Sequence, residues 1–103
     1  MIRRIFMLTL VATLALAASG YAATPRVQIE AFHFVPATLT VPVGAAVTWT
    51  NADEEAHTVT ATDRAYTSTG LEHGETYVHR FTAPGTYTYF CALHPHMTAT
   101  VVK

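Results

Sequence analysis

Thr86-Tyr87-Thr88-Tyr89-Phe90-Cys91 alternates threonines with aromatic residues, and Ala92-Leu93-His94-Pro95-His96-Met97 follows at once. In an extended strand successive side chains point to opposite faces, so Tyr87, Tyr89 and Cys91 share one face and Thr86, Thr88 and Phe90 the other. β-Branched and aromatic residues favour that conformation. The chain's single cysteine therefore ends a strand, in register with two aromatic rings. That placement suits a buried structural thiol and a metal ligand equally well.

The same texture runs outward in both directions. From Ala23 onward no stretch of ten or more residues places apolar side chains at helical spacing, whereas short β-rich runs recur between Pro, Gly, Asn and Asp. The candidate strands are Val27–Phe34, Thr38–Val41, Ala46–Asn51, His57–Thr62, Thr76–Phe81, Thr86–Cys91 and Thr98–Val102. Val35-Pro36-Ala37, Pro42-Val43-Gly44 and Ala83-Pro84-Gly85 supply the turns. Asp63 to Glu75 is polar and turn-rich, a loop with at most one short strand. The expectation is one all-β domain, a small sandwich or barrel of about seven strands.

The first residues read differently. Arg3 and Arg4 precede the apolar run Ile5 to Ala18, and Gly20-Tyr21-Ala22 offers small residues at the −3 and −1 positions of a signal-peptidase site. Residues 1–22 are thus expected to be a signal peptide and 23–103 the folded domain. The arginine pair loosely resembles a twin-arginine signal, although paired arginines are ordinary in any such segment. The apolar run is too short to span a bilayer, and none of the later runs approaches the roughly 20 residues required. Without Arg3 and Arg4, four basic side chains face seven acidic ones, which argues against nucleic-acid binding. Export normally brings disulfides, yet a single cysteine makes none within the chain. Cys91 is therefore inert and buried, paired to another chain, or held by a metal.

The residues beyond Cys91 favour the metal. A thiolate, an imidazole and a thioether, Cys91, His94 and Met97, fall within seven residues of one tight loop, a donor set that prefers copper to magnesium or calcium. A trigonal site needs a second imidazole, and His57, 34 residues upstream, is the candidate. Singly, each residue has a plainer reading: a small buried hydrophobe for Cys91, a gap-filling side chain for Met97, a turn former for Asn51. Together, on an exported all-β chain, they favour one copper ion.

The segments Ala46-Val47-Thr48-Trp49-Thr50-Asn51, His57-Thr58-Val59 and Gly85 to Met97 resemble the blue-copper cupredoxins, in particular amicyanin and its plastocyanin and pseudoazurin relatives. The short Cys-x2-His-Pro-x-Met loop is the most specific part of the likeness. The resemblance implies a Greek-key β-sandwich with type 1 copper at one end, bound by His57, Cys91 and His94 with Met97 as a weak axial ligand. It also implies that Asn51 ties the two ligand-bearing segments together, and that His94, ringed by Leu93, Pro95 and Pro36, is the electron port. His96 stands where amicyanin has an aromatic residue. Against amicyanin, the extra N-terminal strand is expected to be absent and the 58–75 region to be short, two departures that bear on the strand count.

The remaining histidines, His33, His73 and His79, carry no such support and read as surface or satisfied side chains; His96 is expected to face solvent. Asp53-Glu54-Glu55 reads as a solvated acidic loop able to steer a basic partner. The expected function is a monomeric periplasmic carrier of single electrons, not an enzyme, with c-type cytochromes or periplasmic dehydrogenases as partners. The alternatives are copper delivery or storage, and a red-copper enzyme with an open ligand position.

Overall fold

The computed structural model describes residues 24–103; the expected signal peptide lies outside them. Alternation in the sequence becomes alternation in burial. Along Ala46–Asn51 the side chains of Val47, Trp49 and Asn51 are buried and those between them half-buried. Along Thr86–Cys91, Tyr89 and Cys91 are buried while Thr86 and Thr88 face out, as the pattern of that stretch predicts.

Eight strands form: β1 Arg26–Glu30, β2 His33–Val35, β3 Thr38–Thr40, β4 Ala46–Asn51, β5 Thr60–Ala61, β6 Thr76–Arg80, β7 Thr86–Cys91 and β8 His94–Val102. They make two four-stranded sheets, ordered β2-β1-β4-β6 and β3-β8-β7-β5. The β1–β4 and β3–β8 pairs are parallel and the rest antiparallel. Val27, Ile29, Phe34, Val47 and Trp49 from the first sheet bury against Tyr89, Met97, Ala99 and Val101 from the second. The rings of Trp49 and Tyr89 meet edge to face at 5.4 Å. Among the described residues no helix is long and apolar enough to cross a membrane.

The strand count exceeds the expected seven because the first run divides. Ala31 and Phe32 adopt φ values of 52° and 61° and reverse the chain in a two-residue turn that sets Glu30 opposite His33. Two positive φ values are the signature of a hairpin turn usually written Asn-Gly. Ala-Phe carries no such signal, and the left-handed conformation costs L-residues about 1–2 kcal/mol each.

Other boundaries move too. His57–Thr62 contracts to β5, with isolated bridges His57–Leu71 and Thr60–Thr67 reaching into the loop that follows. β8 begins at His94 rather than Thr98, pairing His94 with Cys91 across a register shift. The Pro42–Gly44 turn forms as expected, with Gly44 at φ 90° and the Ala45 N–H donating to Pro42 O at 3.1 Å. The register brings the ends of β1, β4 and β7 and the start of β8 to one end of the sandwich.

Candidate metal centre

At that end His57, Cys91 and His94 converge. Each contributes one donor atom, and the three atoms lie within 4.8 Å of one another. The Cys91 Sγ is 3.7 Å from His57 Nδ1 and 3.6 Å from His94 Nδ1. Bonds of roughly 2.0 Å to nitrogen and 2.3 Å to sulfur, held at a trigonal angle, separate N and S donors by about 3.7 Å. The gap therefore fits one first-row ion. His57 and Cys91 are fully buried, Met97 nearly so, and His94 is half-buried.

The arrangement follows from the strand ends. Cys91 and His94 close the two-residue Ala92–Leu93 connection between β7 and β8, so strand pairing itself presents both side chains at one point. Pro95 fixes φ just after the second. His57 is delivered by tertiary structure: its backbone N–H donates to Leu71 O at 3.1 Å and its carbonyl accepts from Leu71 N–H at 2.7 Å.

Asn51 is fully buried, and its Nδ2 donates to Glu55 O and Leu71 O, each at 2.8 Å, while Oδ1 accepts from the Asp53 N–H at 2.9 Å. It organises the segment that carries His57. The bond between the two ligand-bearing segments, expected of Asn51, belongs to Thr58. Its N–H donates to Cys91 Sγ at 3.3 Å, and its Oγ1 accepts from the Ala92 N–H at 2.7 Å. A hydroxyl on one short span holds the other, while an amide proton points at the sulfur.

Asp53 separates from its acidic neighbours. Oδ2 accepts from His57 Nε2 at 2.8 Å and from the Phe32 N–H at 2.9 Å, and Oδ1 from the Ala31 N–H at 2.7 Å. Burial pushes its carboxyl up, but the bonds from Phe32, His57 and Ala31 outweigh it and hold the group below the ordinary carboxylate value. Its side chain is 14% exposed, whereas Glu54 and Glu55 face solvent. The Phe32 ring sits edge-on at 4.9 Å from both imidazoles, whose own centroids are 5.0 Å apart.

Beside the centre an apolar groove is lined by Phe32, Phe34, Leu93, Pro95 and His96 among others; Ala37 lines it where Pro36 is expected. His96 is exposed, as expected, and so are His33 and His73. His79 stacks on Tyr66 far along β6. Sequence reasoning misses Phe32, Thr58 and the particular role of Asp53. Of these only Asp53 leaves a local trace, an acidic residue four positions before a candidate imidazole ligand.

A single thiolate and two imidazoles gathered at one end of a two-sheet sandwich make a soft-metal centre on a β scaffold. The chain belongs to the cupredoxin-like domain family, which matches residues 4–102. It is 34% identical over 86 residues to amicyanin-alpha of Methylorubrum extorquens, covering 79% of this chain and 72% of that one. Against the chloroplastic plastocyanin of Tetradesmus obliquus it is 34% identical over 105 residues, covering 89% and 71%. It also resembles the copper-containing nitrite reductase of Thermus scotoductus SA-01, with TM-score 0.70 and 31% identity over 76% of this chain but 21% of that one. The fold therefore occurs both in small proteins and inside a much longer enzyme.

Proposed function

We propose that this protein carries single electrons in the periplasm, with His57, Cys91, His94 and Met97 as the residues that would hold its one copper ion. The observation that carries the reading is the convergence of three donor atoms within 4.8 Å from segments 34 residues apart, with both sulfur–nitrogen separations suited to one shared ion. When bound, copper supplies a one-electron couple between Cu(II) and Cu(I).

The rest is the work of the chain. Burial of His57 and Cys91 keeps water from completing a larger coordination shell. In a poorly hydrated pocket the less charged, reduced state is favoured, which raises the potential. The Thr58 N–H directed at Sγ stabilises charge on the sulfur. Half-buried His94 opens onto the apolar groove, where Leu93 is 54% exposed. We assign that edge as the docking surface for a redox protein, with the small contact area of a transient encounter.

A set of four protein donors would fill the coordination of one ion, which supports a carrier over an enzyme, even though the fold also serves in a nitrite reductase. Export rests on the segment 1–22; the mass of protein recovered from the periplasm should correspond to a chain beginning at Ala23. Adding Cu(II) to the purified apoprotein should give an intense visible band from thiolate-to-copper charge transfer, and the loaded protein should exchange electrons rapidly with a c-type cytochrome. Rapid loss of copper to a chelator with slow electron exchange would point to delivery instead. A band altered by azide would point to an open, enzymatic site.

A further inference from the structure

Three features of this end of the molecule share one carboxylate. The β1–β2 turn holds two non-glycine residues at positive φ, a conformation that L-residues leave unless something holds them there. Both of its amides, from Ala31 and Phe32, donate to Asp53, as does His57 Nε2. The turn in turn places the Phe32 ring over His57 and His94 together. Asp53 is itself anchored, since its own N–H donates to the fully buried Asn51.

We propose that Asp53 is a positioning residue that latches the first hairpin onto the metal centre, fixing the His57 proton on Nε2 and holding Phe32 as a ring cap over both imidazoles. This inference rests on the reading of His57 as a copper ligand. The chemistry has two parts. A carboxylate only accepts, so the nitrogen facing it carries the hydrogen, and Nδ1 is left with its lone pair toward Cys91 and His94. The site is thereby arranged for metal before any metal arrives. The same oxygens hold the turn, so tautomer and cap are set by one group. Where a ligand imidazole bonded only to a backbone carbonyl would fix its tautomer alone, this one also closes a lid drawn from 21 residues upstream.

Two variants separate the parts. Asp53→Ala removes all three acceptor contacts. Phe32→Gly removes the ring but leaves the turn and the carboxylate, because glycine takes positive φ without strain. The apoprotein is followed by imidazole 15N shifts and amide hydrogen exchange, and the copper-loaded protein by its visible band, its reduction potential and its rate of copper loss to a chelator. Wild type should show His57 protonated at Nε2. Asp53→Ala should average the two ring nitrogens, speed exchange at Ala31 and Phe32 by about tenfold or more, shift the potential, and weaken copper retention by about 10- to 100-fold. Phe32→Gly should keep the wild-type tautomer while losing copper faster than wild type.

An unchanged His57 tautomer in Asp53→Ala, with copper retention within about twofold of wild type, would overturn the inference; so would Phe32→Gly behaving as wild type in copper loss. If wild type itself forms no thiolate-to-copper band, the electron-carrier reading fails, and the apoprotein shifts and exchange rates alone decide the role of Asp53.

Discussion

Two triads of rings sit in this small sandwich, each with a histidine in it. At the end, Phe32, His57 and His94 have centroids 4.9 to 5.0 Å apart. Along the edge strand β6 and just beyond it, Tyr66, His79 and Phe81 are spaced at 4.0, 4.9 and 5.8 Å. By centroid spacing alone the two are hard to tell apart. The difference lies in donors: the end triad turns two imidazole nitrogens onto a buried thiol, whereas His79 lies flat against a tyrosine ring. Among the described residues the one group of three such donors is His57, Cys91 and His94. A histidine among aromatics is ordinary packing; a sulfur within reach of two of them is chemistry.

The sharpest way to break that contrast is Cys91→Ala. It should abolish the visible band and with it the stabilisation by copper, about 4 kcal/mol at a thousandfold excess over Kd. The apoprotein, losing one small buried sulfur, should lose only about 1 kcal/mol. Absorbance and thermal melts with and without copper check both; a surviving band would move the thiolate role elsewhere. Phe81→Ala is the complementary cut. Phe81 is 2% exposed and packs on Tyr66, His79 and Tyr87, so its truncation should cost about 3–5 kcal/mol in urea unfolding. The visible band should stay where it is. A shifted band would mean the two triads are coupled through the core.

The end triad was only half legible in the sequence, for a physical reason. Cys91, His94 and Met97 crowd one strand-turn-strand, so chemistry and spacing are both local and readable. His57 is 34 residues away: the donor chemistry asks for a second imidazole, but no local spacing singles this one out, and the family resemblance is what selects it. Phe32 left no trace, because the turn that aims it is stabilised by a carboxylate 21 and 22 residues later rather than by its own residue types. For the same reason the first run looked like one strand. Thr58 is hidden because a threonine in an expected strand needs no explanation, and the bond that the resemblance assigns to Asn51 is made by Thr58. Alternation was enough for the all-β class, since burial follows it in β4, β7 and β8.

Titration sharpens the comparison more gently, and first on the alkaline side. Tyr89 is nearly fully buried, and among the described residues its hydroxyl, like that of Tyr66, finds no hydrogen-bond partner. Burial therefore pushes the Tyr89 phenol up to about 12, and Tyr66 higher still, with the nearby tyrosines and Asp63 adding to the effect. A raised value means that the unfolded chain ionises first. Stability present below pH 10 should be lost as pH rises from there toward 12, and Tyr89→Phe should flatten that decline in unfolding curves.

His79 gives the smallest and most discriminating effect. Burial lowers its pKa below the ordinary 6.5, so protonation favours the unfolded chain. Its contribution is complete above pH 6.5 and fades as pH falls through the lowered value. The residue is only half-buried, so the loss should be no more than about 0.5 kcal/mol. Replacing it with Phe should remove that small acid-side slope, measured as the difference in unfolding midpoint between pH 7 and pH 5, and leave the copper band untouched. A change in the band would give the edge triad a part in the metal centre that its geometry denies it.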